Sequence, residues 1–190
     1  MSTPQTPVTP IAFASAATHG HPFAGMTALV IDENPISRTA LASVLRDIGI
    51  DHVKFAASIG LARTHLQTQA FDVILCEYNF TGAASGQDLL DEIRTTRMIP
   101  FHSVFFMVTG EATYERVAEV VENAPDDYLL KPFKPYALEE RLTKALTRKR
   151  ALAPIHRLME GNRLDHAGTA CRAMVERAGA YWIEAARVGA

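Results

Sequence analysis

The stretch TALVIDENP, residues 27–35, joins a short run of apolar and β-branched residues to two acids, an amide and a proline. Such a run has the length and composition of a buried strand, and the polar residues after it mark the carboxyl end of that strand. Pro35 suits the first turn of a helix, because its missing N–H would have no partner there. The stretch therefore predicts a strand, a short loop and a helix in immediate succession.

The same order of strand and helix recurs along the chain. Further apolar runs lie at residues 52–56, 71–76, 103–108 and 128–130, and amphipathic helical patterns separate and follow them. A strict alternation of strands and helices favours a parallel sheet with helices on both faces. The sequence thus predicts an α/β fold with a doubly wound, five-stranded parallel sheet.

Polar side chains stand where four of these strands end, namely Asp32, Glu33, Glu77, Thr109 and Lys131. The carboxyl ends of parallel strands meet at one edge of a sheet, so we expect the five side chains to converge there. Three carboxylates are hard oxygen ligands of the kind that Mg²⁺ accepts. A hydroxyl and an ammonium group suit the oxygens of a phosphoryl group. The pattern predicts a binding site, and it contains no convincing nucleophile–base pair for catalysis.

Four segments, LVIDENP, FDVILCEYNF, FFMVTGE and DDYLLKPF, resemble the response-regulator receiver domain in their order, spacing and context. The resemblance covers about residues 26–148. It implies a flavodoxin-like sheet with the strand order 2-1-3-4-5. It also implies a cytoplasmic, non-enzymatic protein of two-component signal transduction.

The resemblance assigns a role to each residue of the site. Asp32 and Glu33 take the place of the acidic pair that binds Mg²⁺ in this family. Thr109 takes the place of the hydroxyl residue that senses the phosphoryl group, and Lys131 that of the lysine that pairs with it. Mg²⁺ is therefore the expected cofactor, bound weakly or not at all because glutamate stands at position 77.

Two more residues and a surface follow from the same resemblance. Tyr128 takes the place of the aromatic rotamer switch, and Pro132 that of a proline often preceded by a cis bond. In the family, phosphorylation reshapes the surface formed by the fourth helix (here Tyr114–Glu122), the fifth strand and the fifth helix, which begins at Pro135. The implied partners are other signalling proteins, an upstream histidine kinase or a downstream effector, and this surface also allows a homodimer.

The sequence departs from the family at the phosphoacceptor position, where Glu77 replaces aspartate. The extra methylene moves the carboxylate by about 1.5 Å, and a shift of about 1 Å can slow an in-line attack about a hundredfold. The following loop also lacks the usual Met-Pro pair. Three interpretations stay open: a fixed negative charge that imitates the phosphorylated state, a pseudo-receiver that serves as a docking surface, or a weakened phosphorylation or metal site.

An enzyme is the rival interpretation. A magnesium-dependent phosphohydrolase uses an acidic nucleophile on a similar α/β sheet, but its signature after the first strand requires aspartate where this chain has Asn34. Glutamate at position 77 would also be a poor replacement for the nucleophile. We therefore expect no enzymatic activity.

The ends of the chain differ in composition from its middle. Residues 1–24 are rich in proline and small residues and predict a disordered tail, residues 25–150 form the receiver domain, and residues 151–190 form a helical extension. A helix pair around Gly161-Asn162, broken from the receiver at Pro154, is similar to one tetratricopeptide repeat. The extension is either the start of a truncated repeat domain or a short element that packs on the receiver or on a second copy.

Charge and hydropathy exclude two classes of partner. The net charge of −2 gives no basic footprint for nucleic acid. The basic run at residues 147–150 is typical of a helix C-terminus. No apolar stretch is long enough to span a membrane. Two cysteines are too few for a disulfide framework, which is consistent with a cytoplasmic location.

Overall fold

Five parallel strands form at the predicted apolar runs. The computed structural model describes residues 21–82, 84–110 and 124–176. The strands pair in the order β2-β1-β3-β4-β5, which confirms the predicted topology. They are β1 (Thr27–Ile31), β2 (His52–Ala56), β3 (Val73–Glu77), β4 (Val104–Thr109) and β5 (Asp127–Leu130).

Helices connect the strands and cover both faces of the sheet. Asn34, Ser58 and Ser85 each accept a backbone N–H of the first helical turn, which is how an N-cap residue fixes the start of a helix. The helix predicted at Tyr114–Glu122 lies outside the described residues. The described helices are α1 (Pro35–Asp47), α2 (Ile59–Thr68), α3 (Gly86–Thr96), α4 (Pro135–Glu160) and α5 (Leu164–Glu176).

The core lies in two layers, one on each face of the sheet. Side chains alternate along a strand, so β1 sends Ala28 and Val30 into the layer beneath α1 and α4. Leu29 and Ile31 enter the opposite layer, beneath α2 and α3. Because both faces are covered, the strands are held firmly, and their ends fix the backbone positions of the polar residues that follow.

The ordered structure begins before the predicted boundary at residue 25. Residues 21–24 form a turn, and Phe23 is buried in the layer beneath α1 and α4. For these residues the prediction of a disordered tail was wrong, because a phenylalanine gains enough from burial to hold a short segment. Residues 1–20 lie outside the described residues.

Helix α4 is longer than predicted. The sequence predicted an end near Arg150 and a break at Pro154, but the helix runs without interruption over Pro135–Glu160. A proline inside a helix costs about 3 kcal/mol. Leu152 and Ile155, on either side of it, are buried, and burial of two such side chains can offset that cost. The predicted domain boundary after Arg150 therefore falls inside a continuous helix.

The helical extension is a hairpin made by the end of α4 and by α5. The predicted turn at Gly161-Asn162 joins them, with Asn162 in a left-handed conformation (φ 54°). Their small apolar cluster includes Ile155 and Cys171, and Phe101 of the receiver packs against it. The likeness to a tetratricopeptide repeat stays a prediction, and residues 177–190 of the extension lie outside the described residues.

Over the described ranges, no helix combines the length and the apolar character needed to cross a bilayer. The longest one, α4, has 26 residues but carries charged side chains along most of its length.

Candidate functional site

The predicted polar residues meet at the carboxyl edge of the sheet. Asp32 follows β1, Glu77 ends β3, Thr109 ends β4 and Lys131 follows β5. These strands are neighbours in the sheet, so their ends lie side by side. The structure therefore brings together most of the site that the sequence predicted, and Glu33 is the exception.

Lys131 is the centre of the site. Its ammonium nitrogen Nζ donates to Asp32 Oδ2 and to Glu77 Oε2, each at 2.7 Å. The Asp32 side chain is 3% exposed, that of Glu77 14% and that of Lys131 25%. Two largely buried carboxylates thus share one cation, and without that cation they would repel each other.

The charges of the site change the pKa values of two of its members. Burial alone would raise the pKa of Asp32, but hydrogen bonds from Lys131, Ser37 and the backbone N–H of Asn34 outweigh it and lower that pKa. Burial alone would lower the pKa of Lys131, but the hydrogen bonds and charges of Asp32 and Glu77 raise it. Both groups are therefore charged over a wide range around neutral pH.

Ser37 is a site residue that the sequence analysis missed. Its hydroxyl donates to Asp32 Oδ2 at 2.5 Å and accepts from Lys131 Nζ at 2.7 Å. Asn34 caps α1, which places Ser37 in the first helical turn. The sequence does contain a signal for this role. Ser37 stands three residues after the N-cap Asn34, which directly follows the acidic pair.

Glu33 lies apart from the other two carboxylates. Its Oε1 accepts from the backbone N–H of Thr81 at 3.0 Å, and its Oε2 accepts from the Thr81 hydroxyl at 2.9 Å. Both carboxylate oxygens are thus used to hold the loop after β3. The acidic trio that the sequence predicted is not assembled in this structure, because the side chain of its second member reaches a different partner.

Both oxygens of the Glu77 carboxylate have donors. Oε2 accepts a hydrogen bond from Lys131 Nζ. Oε1 accepts from the backbone N–H groups of Tyr78 at 2.8 Å and Asn79 at 3.1 Å. Behind it, Gly86 begins α3 where a Cβ atom would collide with the carbonyl oxygen of Glu77. The backbone of Tyr78 and Asn79 therefore holds the Glu77 carboxylate on the side away from Lys131.

The positions of the carboxylate oxygens decide whether this site suits the expected Mg²⁺. Magnesium needs several oxygen ligands in near-octahedral geometry. The oxygens of Asp32 and Glu77 that face the site are bound to the Lys131 ammonium group, and Glu33 is bound to Thr81. Within the described ranges, no group of three or more acidic, histidine or cysteine side chains is placed to hold a metal. As arranged here, these residues do not fit Mg²⁺.

The remaining predicted residues flank the ion pairs. Thr109 is fully buried, and its carbonyl oxygen accepts the backbone N–H of Lys131 at 2.7 Å. The peptide bond between Lys131 and Pro132 is cis, as the resemblance implied. Tyr128 is buried in β5, and burial raises the pKa of its hydroxyl, with a smaller contribution from Tyr78.

A sequence model of the response regulator receiver domain matches residues 28–143. The chain belongs to this family. Chemotaxis protein CheY-3 of Vibrio cholerae serotype O1 is 30% identical over 123 residues, which is 65% of this chain and 93% of that protein. The protein is thus a CheY-like receiver domain of two-component signalling, with an additional C-terminal hairpin beyond the matched residues.

Solved receiver structures share the fold. A CheY-like receiver domain from Methanospirillum hungatei aligns with a TM-score of 0.57 and 23% identity, covering 66% of this chain and 97% of that one. Response regulator TrrA from Thermotoga maritima, in complex with Mg(2+)-BeF, aligns with a TM-score of 0.54 and 22% identity, covering 64% and 99%. Receiver domains bind Mg²⁺ in their phosphorylation site.

Proposed function

We propose that this receiver works independently of aspartyl phosphorylation. Glu77 keeps the pocket at the carboxyl edge of the sheet in a single conformational state. The protein acts by binding other signalling proteins, without enzymatic activity. The observation that carries this proposal is the environment of the Glu77 carboxylate, in which Lys131 binds one oxygen and two backbone N–H groups bind the other. An attack on phosphorus would have to break these contacts from a carboxylate that is already misplaced by one methylene.

The partners under this proposal are those of the family, namely a histidine kinase or a downstream effector in the cytoplasm. Homodimerisation through the face of β5 and the first turns of α4 belongs to the same proposal. An exposed Tyr136 at the start of α4 gives that face an aromatic contact point.

An absence of enzymatic activity is supported by the role of Asn34. Its side-chain oxygen accepts the backbone N–H groups of Ile36 at 2.9 Å and Ser37 at 3.3 Å, so it serves as a helix cap. A phosphohydrolase would need an acid at this place. We expect no turnover of a generic aryl phosphate with Mg²⁺, and a turnover abolished by Glu77→Gln would support the enzyme instead.

Glu77→Asp, which removes a single methylene, tests directly whether position 77 can be phosphorylated. After incubation with acetyl phosphate and Mg²⁺, we expect the intact mass of the wild type to stay unchanged, whereas Glu77→Asp gains one phosphoryl group. The shorter side chain restores the family's nucleophile and reaches less far towards Lys131. Glu77→Gln serves as a control that cannot be modified at this position. A phosphorylated wild type would contradict the proposal.

The same variant separates imitation of the phosphorylated state from simple docking. If Glu77 imitates a phosphoryl group, the wild type and phosphorylated Glu77→Asp should share a hydrogen-exchange pattern over β5 and the start of α4. Unphosphorylated Glu77→Asp should then differ from both. A wild type that matches the unphosphorylated variant would identify the domain as a docking surface in its resting state.

A further inference from the structure

Among the described residues, the apolar cluster of the C-terminal hairpin packs against one aromatic side chain of the receiver. Phe101 lies in the loop between α3 and β4 and packs against the apolar cluster of Leu152, Ile155, Ala167 and Cys171. These four side chains are buried, although they come from the extension and not from the core of the sheet. The receiver thus supplies one wall of the hairpin's own core.

Two side chains of α4 contact the Phe101 ring. The ring of His156 stacks on it with 3.3 Å between the ring centroids and 16° between the planes. The ammonium group of Lys149 lies 4.9 Å from the Phe101 centroid, within the range of a cation–π interaction. Two residues that are seven positions apart on α4 thus contact the same receiver loop.

Lys149 also links the hairpin to the start of β5. It is 5% exposed, and its Nζ lies 3.1 Å from Asp126 Oδ1. Arg148 donates to the backbone oxygen of Asp126 at 2.9 Å, and Arg94 of α3 lies 3.6 Å from the same carboxylate. The basic run is therefore in mid-helix and anchors α4, and the prediction that it lies at a helix C-terminus was wrong.

We propose that these contacts form a latch, defined as the Phe101–His156 stack together with the Lys149–Asp126 ion pair, which holds the hairpin closed on the receiver. Opening the latch exposes Phe101 and the apolar side chains beneath it. The latch is independent of the proposal for Glu77, because it lies at the opposite end of the strands.

Hydrogen exchange on the whole chain tests the latch. In Phe101→Ala and in His156→Ala, we expect amides of residues 152–176 to exchange at least tenfold faster, while amides of β1 and β3 keep their protection. His156→Phe should retain the wild-type rate, because it preserves the aromatic stack. Phe55→Ala is the control, since Phe55 is 40% exposed on β2, away from the latch.

The possible results have separate meanings. Unchanged protection of residues 152–176 in both alanine variants would overturn the latch and show that the hairpin is held by its own packing. If Phe101→Ala also loses protection in β1 and β3, the receiver has unfolded. The comparison of His156→Ala with His156→Phe then decides, because neither substitution touches the core of the sheet.

The latch should also depend on pH. Burial, together with the smaller effects of the charges of Lys149 and Arg94, lowers the pKa of His156 to about 4. Arg148 and Asp126 complete the charged surroundings. In the open form the imidazole regains an ordinary pKa near 6.5. Between pH 6.5 and 4 the open form is therefore protonated while the closed form stays neutral, so protonation favours opening. We therefore expect the opening constant to rise by about one to two orders of magnitude as the pH falls from 6.5 to 4, with little further change below.

Hydrogen exchange corrected for the intrinsic amide rates gives this opening constant. His156→Phe, which has no titrating ring at this position, should show a much weaker dependence over the same pH range. A wild type and a His156→Phe variant with the same pH dependence would show that the imidazole does not face the latch.

Discussion

Cys76→Asp is expected to destabilise the fold by about 4 kcal/mol or more at pH 7. Cys76 is fully buried in β3, and its sulfur lies in the layer beneath α3. Burial raises the pKa of its thiol far above the usual range, and the charges of Glu77 and Asp32 raise it further. The same surroundings would oppose the charge of an aspartate at this position.

The size of the effect follows from the proton that such an aspartate must bind. A carboxyl group with an ordinary pKa near 3.9 that is forced to stay neutral at pH 7 costs about 1.36 kcal/mol per pH unit, or about 4 kcal/mol in all. Its hydroxyl and carbonyl then still need hydrogen-bond partners in an apolar layer, which adds to the loss.

Cys76→Asn is the matched control, because asparagine has the shape of aspartate without its charge. Urea unfolding at several pH values measures both variants. The pKa of the aspartate is raised in the folded state, so its cost is greatest at high pH and disappears as the pH falls towards 4. The gap between the two variants should therefore close on acidification. A gap that is absent at pH 7 would show that position 76 does not face the core.

Strand positions were predictable because each strand is an isolated apolar run. FDVILC and SVFFMV could be buried only as strands covered on both faces, and the residues at their ends had to meet at one edge of the sheet. Asp32, Glu77 and Lys131 were therefore placed together correctly from the sequence. Backbone topology alone determines this part of the site.

The orientation of side chains at that edge was not predictable in the same way. Glu33 follows Asp32 directly, but neighbouring residues point in different directions, and the loop after β3 offers Glu33 a hydroxyl and an N–H on Thr81. Ser37 reaches the site because of the phase of α1, which depends on which residue caps it. Rotamers and helix phase are set by tertiary contacts that a strand pattern does not contain.

The C-terminal extension shows the same limit of prediction from local sequence, here for residues far apart in the chain. Pro154 predicted a break because proline removes a backbone hydrogen bond, and that local rule is correct. It was outweighed by the burial of Leu152 and Ile155 beside Phe101, a residue about fifty positions earlier in the chain. A contact between such distant residues leaves no trace in a local pattern.

Lys131→Met is expected to lower the free energy of unfolding by roughly 2 to 4 kcal/mol at pH 7. Removal of one partner from a buried ion pair typically costs 3–5 kcal/mol, and the 25% exposure of the Lys131 side chain places this site towards the lower part of that range. Methionine keeps most of the volume of lysine, so the loss reports the charge. Asp32 and Glu77 would then face each other without a cation.

The pH dependence of this loss identifies its cause. In the wild type the pKa of Asp32 is lowered and that of Lys131 is raised, so both contributions are present from mildly acidic to mildly alkaline pH. In Lys131→Met, burial is the largest remaining influence on Asp32, and it raises the pKa of that carboxyl. Protonation then removes the repulsion, and the difference from the wild type should shrink as the pH falls towards 4.

Lys131→Met also tests whether Lys131 occupies the place of the family's metal ion. Millimolar Mg²⁺ should raise the melting temperature of the variant, because a cation that binds the folded state stabilises it, and should leave the wild type unchanged. Lys144→Met is the control, since Lys144 is 71% exposed and pairs with Glu140 on the surface. Stabilisation of the wild type by Mg²⁺ to the same extent would contradict this interpretation, because it would mean that the metal and the ammonium group do not compete. Equal behaviour of the two lysine variants would show instead that the buried pair contributes no more than a surface one.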